Sequence, residues 1–456
     1  MTLKNAIAAY EGEMLKSLQE SIHIPSVQTA PLEGAPYGEG IALALEHALG
    51  TAARLGMRTE NMAGQAGWCE FGEGEEMIAI LGHLDVVPAG DGWSFDPFGG
   101  EIKDGKIFGR GTMDDKGPTI AALYAMAAIK NCGIPLRRRV RLILGTNEET
   151  GSKDMVYYLS HGGESPVMGF TPDGEYPVIN GEKGIINVSF KKSYTQNAPL
   201  CLMRISGGSA PNVVPDRACA ELICPPDMAD ELIKKSCENI HYIKTPRGVS
   251  VTADGIGAHG STPQEGENAI GRLLQALAPL PFDSELSAAL RFLADRIGME
   301  TGGASLGIGL RDDISGALTL NLGVIEGYEQ ELSLRINYRY PVTKHYEDCA
   351  PILNAEFAAA GFTLEGETHK PSLYVPAGSQ LVRTLLEVYH DETGLPAVPK
   401  SIGGGTYAKA IPNVVAFGPI FPGDEVREHK PDEFIEVDKL MKNMSIFAEA
   451  ILRLAK

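Results

Sequence analysis

At 456 residues the chain is too long for one compact core, and two domains are expected, one of them inserted in the other. Apolar residues at 43% and charged residues at 22% describe an ordinary globular composition. Acidic residues outnumber basic ones by 59 to 40, a formal charge of −19, which argues against nucleic acid or an anionic membrane as a partner because both attract basic surfaces.

The first segment, up to about Ser21, reads as an amphipathic helix followed by a turn at Ile24-Pro25-Ser26. It lacks the continuous apolar stretch of a secretory signal, and no later stretch approaches the roughly 18 apolar residues of a membrane span. The seven cysteines are scattered and form no CxxC pair, so reduced thiols and a cytoplasmic location are expected. Met77–Leu81 is a short buried-strand pattern. Pro118–Lys130 is an Ala-rich helix with proline in its first turn, where the missing N–H costs little. Val140–Leu144 is a second strand, after which Ser152 is placed to cap a helix carrying Met155 and Leu159. Val167–Phe170 and Val414–Phe417 complete the apolar strands. The fold class expected is α/β, a central mixed sheet flanked by helices.

Between these segments the texture changes. INVSFKKSY, RACAELIC and ELSLRINYRYPV alternate like half-exposed antiparallel strands, with helical segments near 227–240, 266–278 and 346–360. An inserted α+β lid domain is expected over 184–370, with 1–183 and 371–456 forming the catalytic, metal-binding domain. Ser379–His390 resumes the helical pattern of the latter.

The chemistry-bearing residues follow the apolar runs, and in open α/β sheets ligands bind beyond the carboxyl ends of strands. His83 and Asp85 stand in GHLDVVPAG, two apart and pointing the same way, so Asp85 can orient the imidazole. GRGTMDDKG carries Asp114 and Asp115, which could simply cap a helix. The absence of a Gly-Lys-Ser/Thr ending argues against a phosphate loop. NEETGS carries Glu148 and Glu149, adjacent carboxylates suited to dividing proton transfer from metal binding. Asp173 in TPDGEYPV and His429 in EHKPDE are individually weak signals, a turn aspartate and a loop histidine. Five such loops in one chain are a stronger one.

Taken in order with NGEKGI, these motifs resemble the M20 family of metallopeptidases over nearly the whole chain. The resemblance implies two divalent cations, zinc foremost with manganese or cobalt as alternatives. It implies His83, Asp114, Glu149, Asp173 and His429 as ligands, Asp114 bridging, with Glu148 as general base and Asp85 orienting His83. It also implies a cis peptide after Asp114. In the insert, His259 in GIGAHGSTP resembles the family's oxyanion donor, and Asn212 and Arg339 resemble substrate-contacting positions. Gly404 and Thr406, in GGGT, resemble a loop lining the substrate pocket.

The aspartate at 173, the GHLDVVPAGDGWSFDPFGG string and the long insert favour the PepV-type dipeptidase branch, acting on peptides with both termini free, as a monomer or weak homodimer. Deacylation of N-acyl amino acids is the alternative. A metal-binding protein without catalysis is the rival, but it would lack a ligand or the base.

Overall fold

The computed structural model describes residues 2–328 and 330–456. Two compact units emerge, the first built from Met1–Asn180, Val375–Lys400 and Gly405–Lys456, the second from Gly181–Tyr374 and Ser401–Gly404. Each has its own hydrophobic core.

In the first unit the sheet runs Arg58–Met62, Ala66–Phe71, Arg139–Gly145, Met77–His83, Met168–Thr171, Val414–Ala416. The last four are mutually parallel, and the first two join antiparallel at one edge. Met77–His83 is buried along its whole length, as expected of a continuous apolar strand covered on both faces. The helix Lys116–Asn131 owes its near-complete burial to an Ala-rich sequence that lets neighbours approach closely; it packs on Leu3–Ile22 and Val437–Ala455. A mixed α/β sheet flanked by helices is thus the architecture found.

Ser152 does occupy the N-cap position of helix Lys153–Ser160, but with a left-handed backbone (φ 55°) and no capping hydrogen bond from its side chain. Asn147 does the capping instead, its Oδ1 accepting from Lys153 N at 3.1 Å.

The second unit holds an eight-stranded antiparallel sheet in the order Ile240–Thr245, Gly248–Asp254, Arg217–Ile223, Cys201–Gly207, Thr319–Tyr328, Glu331–Tyr340, Gly184–Ser193, Thr363–Lys370. The helix expected near 227–240 is shorter, Pro226–Leu232 with one 3-10 turn after it, because the chain from Ile240 joins the sheet. A further helix, Ser284–Arg296, buries Leu286, Ala289, Leu290 and Leu293 at i, i+3, i+4, i+7. That pattern stands in the sequence, interspersed with Ser, Glu, Arg and Asp.

Among the described residues all seven cysteines are free, and no helix is long and apolar enough to cross a membrane.

Candidate metal centre

The parallel strands of the first unit deliver their ends to one place. His83 is the last residue of its strand, Glu148 and Glu149 follow Arg139–Gly145, and Asp173 follows Met168–Thr171. Asp114 arrives differently, not beyond a sheet strand but two residues before the helix Lys116–Asn131, across a cis Asp114–Asp115 bond. His429 comes from the loop beyond Val414–Ala416, at φ 61°.

These side chains form two groups of donor atoms, His83 with Asp114 and Asp173, and Asp114 with Glu149 and His429; within each group the atoms lie within 4.8 Å of one another. Asp114 belongs to both. Its Oδ1 is 3.0 Å from His83 Nε2 and its Oδ2 is 3.0 Å from His429 Nε2. Glu149 Oε1 is 3.2 Å from the same His429 nitrogen.

The ring of His83 is the informative one. Its Nδ1 is 3.0 Å from the backbone oxygen of Asp85, which can only accept, so Nδ1 carries the proton. In a neutral ring Nε2 is then a bare lone pair facing a carboxylate oxygen, an arrangement that only a proton or a metal cation reconciles. Donors bonded at about 2.0–2.2 Å to one cation stand roughly 3 Å or slightly more apart. The residues present therefore fit a pair of N/O-ligated divalent cations sharing Asp114.

Asp85 meets His83 through both its backbone and its side chain. The carbonyl of Asp85 is the nearer partner of His83 Nδ1; its carboxylate Oδ1 stands 3.6 Å away. The carboxylate accepts the backbone N–H groups of Glu148 (3.2 Å) and Glu149 (3.1 Å), so it shapes the turn that presents the two glutamates. Asp115 does not use its side chain as a helix cap. Its Oδ2 takes the N–H of His83 at 3.2 Å and the hydroxyl of Thr119 at 2.9 Å.

Electrostatics mark the same place. Burial lowers the affinity of His83 for a proton, yet the carboxylates of Asp114 and Asp85 overcome it and hold the imidazole well above its usual range. Hydrogen bonds to Asp114 and Glu149 push His429 up to about 11. Burial, then the charge of Asp114, raises Asp173 to about 6; burial, then Asp173, holds Glu148 well above the carboxylate range. Glu428, beside His429, is raised to about 8 by burial and then by Asp114 and Asp173. Such crowding of carboxylates is what bound cations relieve.

Supporting residues that the sequence reading did not single out complete the centre. Tyr407 donates its backbone N–H to Asp173 Oδ2 at 2.9 Å, stands edge-on to the His83 ring at 5.8 Å between centroids, and sends its hydroxyl to the buried Asp154. A side chain at Gly145 would collide with that hydroxyl, so the strand end must be glycine. Glu433 accepts from the backbone of Gly111 (3.0 Å), Met113 (2.9 Å) and Asp114 (3.3 Å) through Oε1, and from Arg110 through Oε2 at 2.6 Å. Burial pushes its carboxyl up to about 7, but four N–H donors converging on both oxygens call for the ionised form. Glu433 lies in the quoted EHKPDE string, and Tyr407 directly follows GGGT; neither residue type announces its role at that position.

In the second unit another group converges. His259 pairs across a short ladder with Val213, and Gly260 N donates to Asn212 O at 2.7 Å. Arg339 is buried, with Nη1 on Gly403 O at 2.8 Å and Nε on Asn337 Oδ1 at 3.1 Å, and burial lowers its guanidinium to about 10. Gly404 follows Gly403 in this unit. Thr406, in the first unit, accepts from Ala408 N through its side chain and begins the 3-10 turn Tyr407–Ala410.

Residues 79–453 match the family model of peptidase family M20/M25/M40. The chain belongs to that family. As an M20 metallopeptidase it is 38% identical over 460 residues to "Putative dipeptidase YtjP" of Bacillus subtilis (strain 168), covering 97% of each chain. It is 36% identical over 472 residues to the Beta-Ala-Xaa dipeptidase of Lactobacillus delbrueckii subsp. lactis, covering 100% of this M20 chain and 99% of that protein. The aminoacylhistidine dipeptidase of Vibrio alginolyticus shares the fold, at a TM-score of 0.60 and 14% identity over 97% of this chain and 96% of that one. So does the YXEP protein of Bacillus subtilis, a dinuclear metal binding peptidase from the M20 family, at a TM-score of 0.54 and 11% identity over 98% and 99%.

Proposed function

We propose that this M20 metallopeptidase hydrolyses dipeptides whose amino and carboxyl termini are both free, using two divalent cations, zinc foremost, held by His83, Asp114, Glu149, Asp173 and His429. The observation that carries the reading is Asp114, each of whose oxygens faces a different histidine Nε2 at 3.0 Å. When bound, the cations polarise the peptide carbonyl and make water acidic enough to attack near neutral pH. Glu148 is the general base. Its turn is held by Asp85, and it is next to a ligand without belonging to either donor group. It takes the proton of the attacking water and passes it to the leaving amine. His259 donates a hydrogen bond to the carbonyl oxygen as charge builds there.

The buried guanidinium of Arg339 is the partner proposed for the substrate carboxylate. Among the described residues its Nη2 makes no hydrogen bond, while its Nη1 donates to Gly403 O at 2.8 Å and its Nε to Asn337 Oδ1 at 3.1 Å. The domain division proposed is a catalytic one for the first unit and a substrate-holding lid for the second. The names of the two curated relatives support dipeptides as substrates.

The test compares Ala-Ala, β-Ala-Ala, N-acetyl-Ala-Ala, N-acetyl-Ala and tri-alanine by kcat/KM with the metal-loaded enzyme. A free dipeptide is expected to be hydrolysed best. The substrate ammonium is assigned to the carboxylates near the metals, so acetylation leaves an acidic group there unpaired, which costs several kcal/mol, or orders of magnitude in kcat/KM. Preference for N-acetyl-Ala would replace the dipeptidase reading with the deacylase one.

A further inference from the structure

His259 ends the two-residue strand Ala258–His259, and the chain turns at once, Thr262 N donating to His259 O at 3.0 Å. The turn is pinned from below. Gly260 N donates to Asn212 O, and a side chain at Gly260 would stand 2.9 Å from the Asn212 backbone, so only glycine permits this approach. Ser261 is thereby held against the imidazole. Its hydroxyl lies 2.6 Å from His259 Nδ1 and its backbone N lies 3.3 Å from the same atom.

A backbone N–H can only donate. Nδ1 must therefore offer its lone pair, and a neutral ring with a bare Nδ1 carries its single proton on Nε2. Both surroundings keep the ring neutral, since burial and then the positive charge of Arg339 disfavour a second proton. The other tautomer would set Nδ1–H against Ser261 N–H and leave Nε2 an acceptor, unable to stabilise a developing negative charge.

We propose that Ser261 is a positioning residue, which holds His259 in the tautomer whose Nε2–H is the hydrogen-bond donor to the substrate's carbonyl oxygen. This rests on the reading of His259 as oxyanion donor, and deepens it. No proton is transferred in this step. Nε2 keeps its hydrogen throughout, and Ser261 supplies both donors to Nδ1, one from its hydroxyl and one from its backbone.

The test begins on the full-length metal-free protein labelled with 15N-histidine. Long-range 1H–15N spectra at neutral pH assign the ring by subtraction against His259→Gln. A bare Nδ1 and a protonated Nε2 are expected. In Ser261→Ala the hydroxyl donor is lost and the spectrum should move toward a mixture of tautomers, while Ser261→Thr, which keeps a hydroxyl, should retain the wild-type pattern. In the metal-loaded enzyme Ser261→Ala should lower kcat about tenfold at unchanged KM, less than the roughly 10²–10³-fold expected for His259→Ala, and Ser261→Thr should recover most of it. A wild-type ring protonated on Nδ1, or on both nitrogens, overturns the proposal without any variant being needed. So does a Ser261→Ala protein whose spectrum and kcat both match wild type. If the tautomer is as stated but His259→Ala keeps full kcat, the oxyanion reading fails and takes the catalytic half of the proposal with it. The dipeptide panel decides the substrate class separately.

Discussion

Glu148 and Glu149 are neighbours in sequence with different surroundings. Glu149 reaches His429 at 3.2 Å and belongs to a donor group; Glu148 belongs to neither, and burial with the nearby charge of Asp173 raises its proton affinity. Glu148→Gln keeps the shape and removes the base, so it is expected to retain two metal equivalents by elemental analysis while losing about 10²–10⁴-fold in kcat. Loss of one equivalent would make Glu148 a ligand and reverse the two roles. At this scale the sequence shows residue types well and partners poorly. A histidine two before an aspartate suggests a side-chain pair, but the Asp85 carbonyl is the nearer partner and its carboxylate holds a turn 63 residues away. Backbone acceptors have no sequence signature. The same holds for Ser152, legible as a cap by type and displaced by Asn147 because the preceding turn puts Ser152 in a left-handed conformation.

Among the elements, strands read most easily where they are apolar throughout, as at Met77–His83, and helices where Ala or a capping serine marks them, as at Lys116–Asn131 and Gln380–Thr393. The helix Ser284–Arg296 shows the limit. Its four buried positions sit among Ser, Glu, Arg and Asp, and it ends just before Gly298, which is left-handed at φ 48° and donates its N–H to Leu293 O at 2.9 Å. The loop that carries Asp114 has no regular pattern at all, and its shape comes from a distant residue. Glu433 gathers three of its backbone N–H groups and the buried Arg110, tying the loop to the segment that holds His429. Glu433→Ala would leave Arg110 buried without its carboxylate, at a cost of about 3–5 kcal/mol in stability. It should also weaken metal binding by about 10–100-fold, as removal of groups that orient ligands does. Glu433→Gln keeps an acceptor for the backbone and should fall between. Competition against a chelating dye measures the affinity, and equal affinity in all three proteins would confine Glu433 to folding.

For the whole molecule, the two hydrophobic cores share no residue, and every proposed ligand lies in the first unit. The sequence leads one to expect an insert over 184–370, where alternating strands replace continuous apolar ones, and the second unit spans Gly181–Tyr374 together with Ser401–Gly404. The return of Ser401–Gly404 to the second unit is not legible in the sequence, since four residues carry no periodicity. This division sets what metal removal should do. Without cations, Asp114, Glu148, Glu149, Asp173 and Glu428 crowd one another, and the raised proton affinities of Glu148, Asp173 and Glu428 record that repulsion. A cation binding only the folded state stabilises it by RT ln(1 + [L]/Kd), about 2.7 kcal/mol at a hundredfold excess over Kd. For a unit of this size that corresponds to a shift of roughly 5–10 °C in Tm. Chelation should therefore lower the melting of the first unit by that amount and leave the second where it was. Differential scanning calorimetry with and without chelator shows whether one transition moves, and amide hydrogen exchange assigns it to a unit. Equal destabilisation of both units would mean they unfold as one cooperative body; no shift in either would remove the cations from this centre.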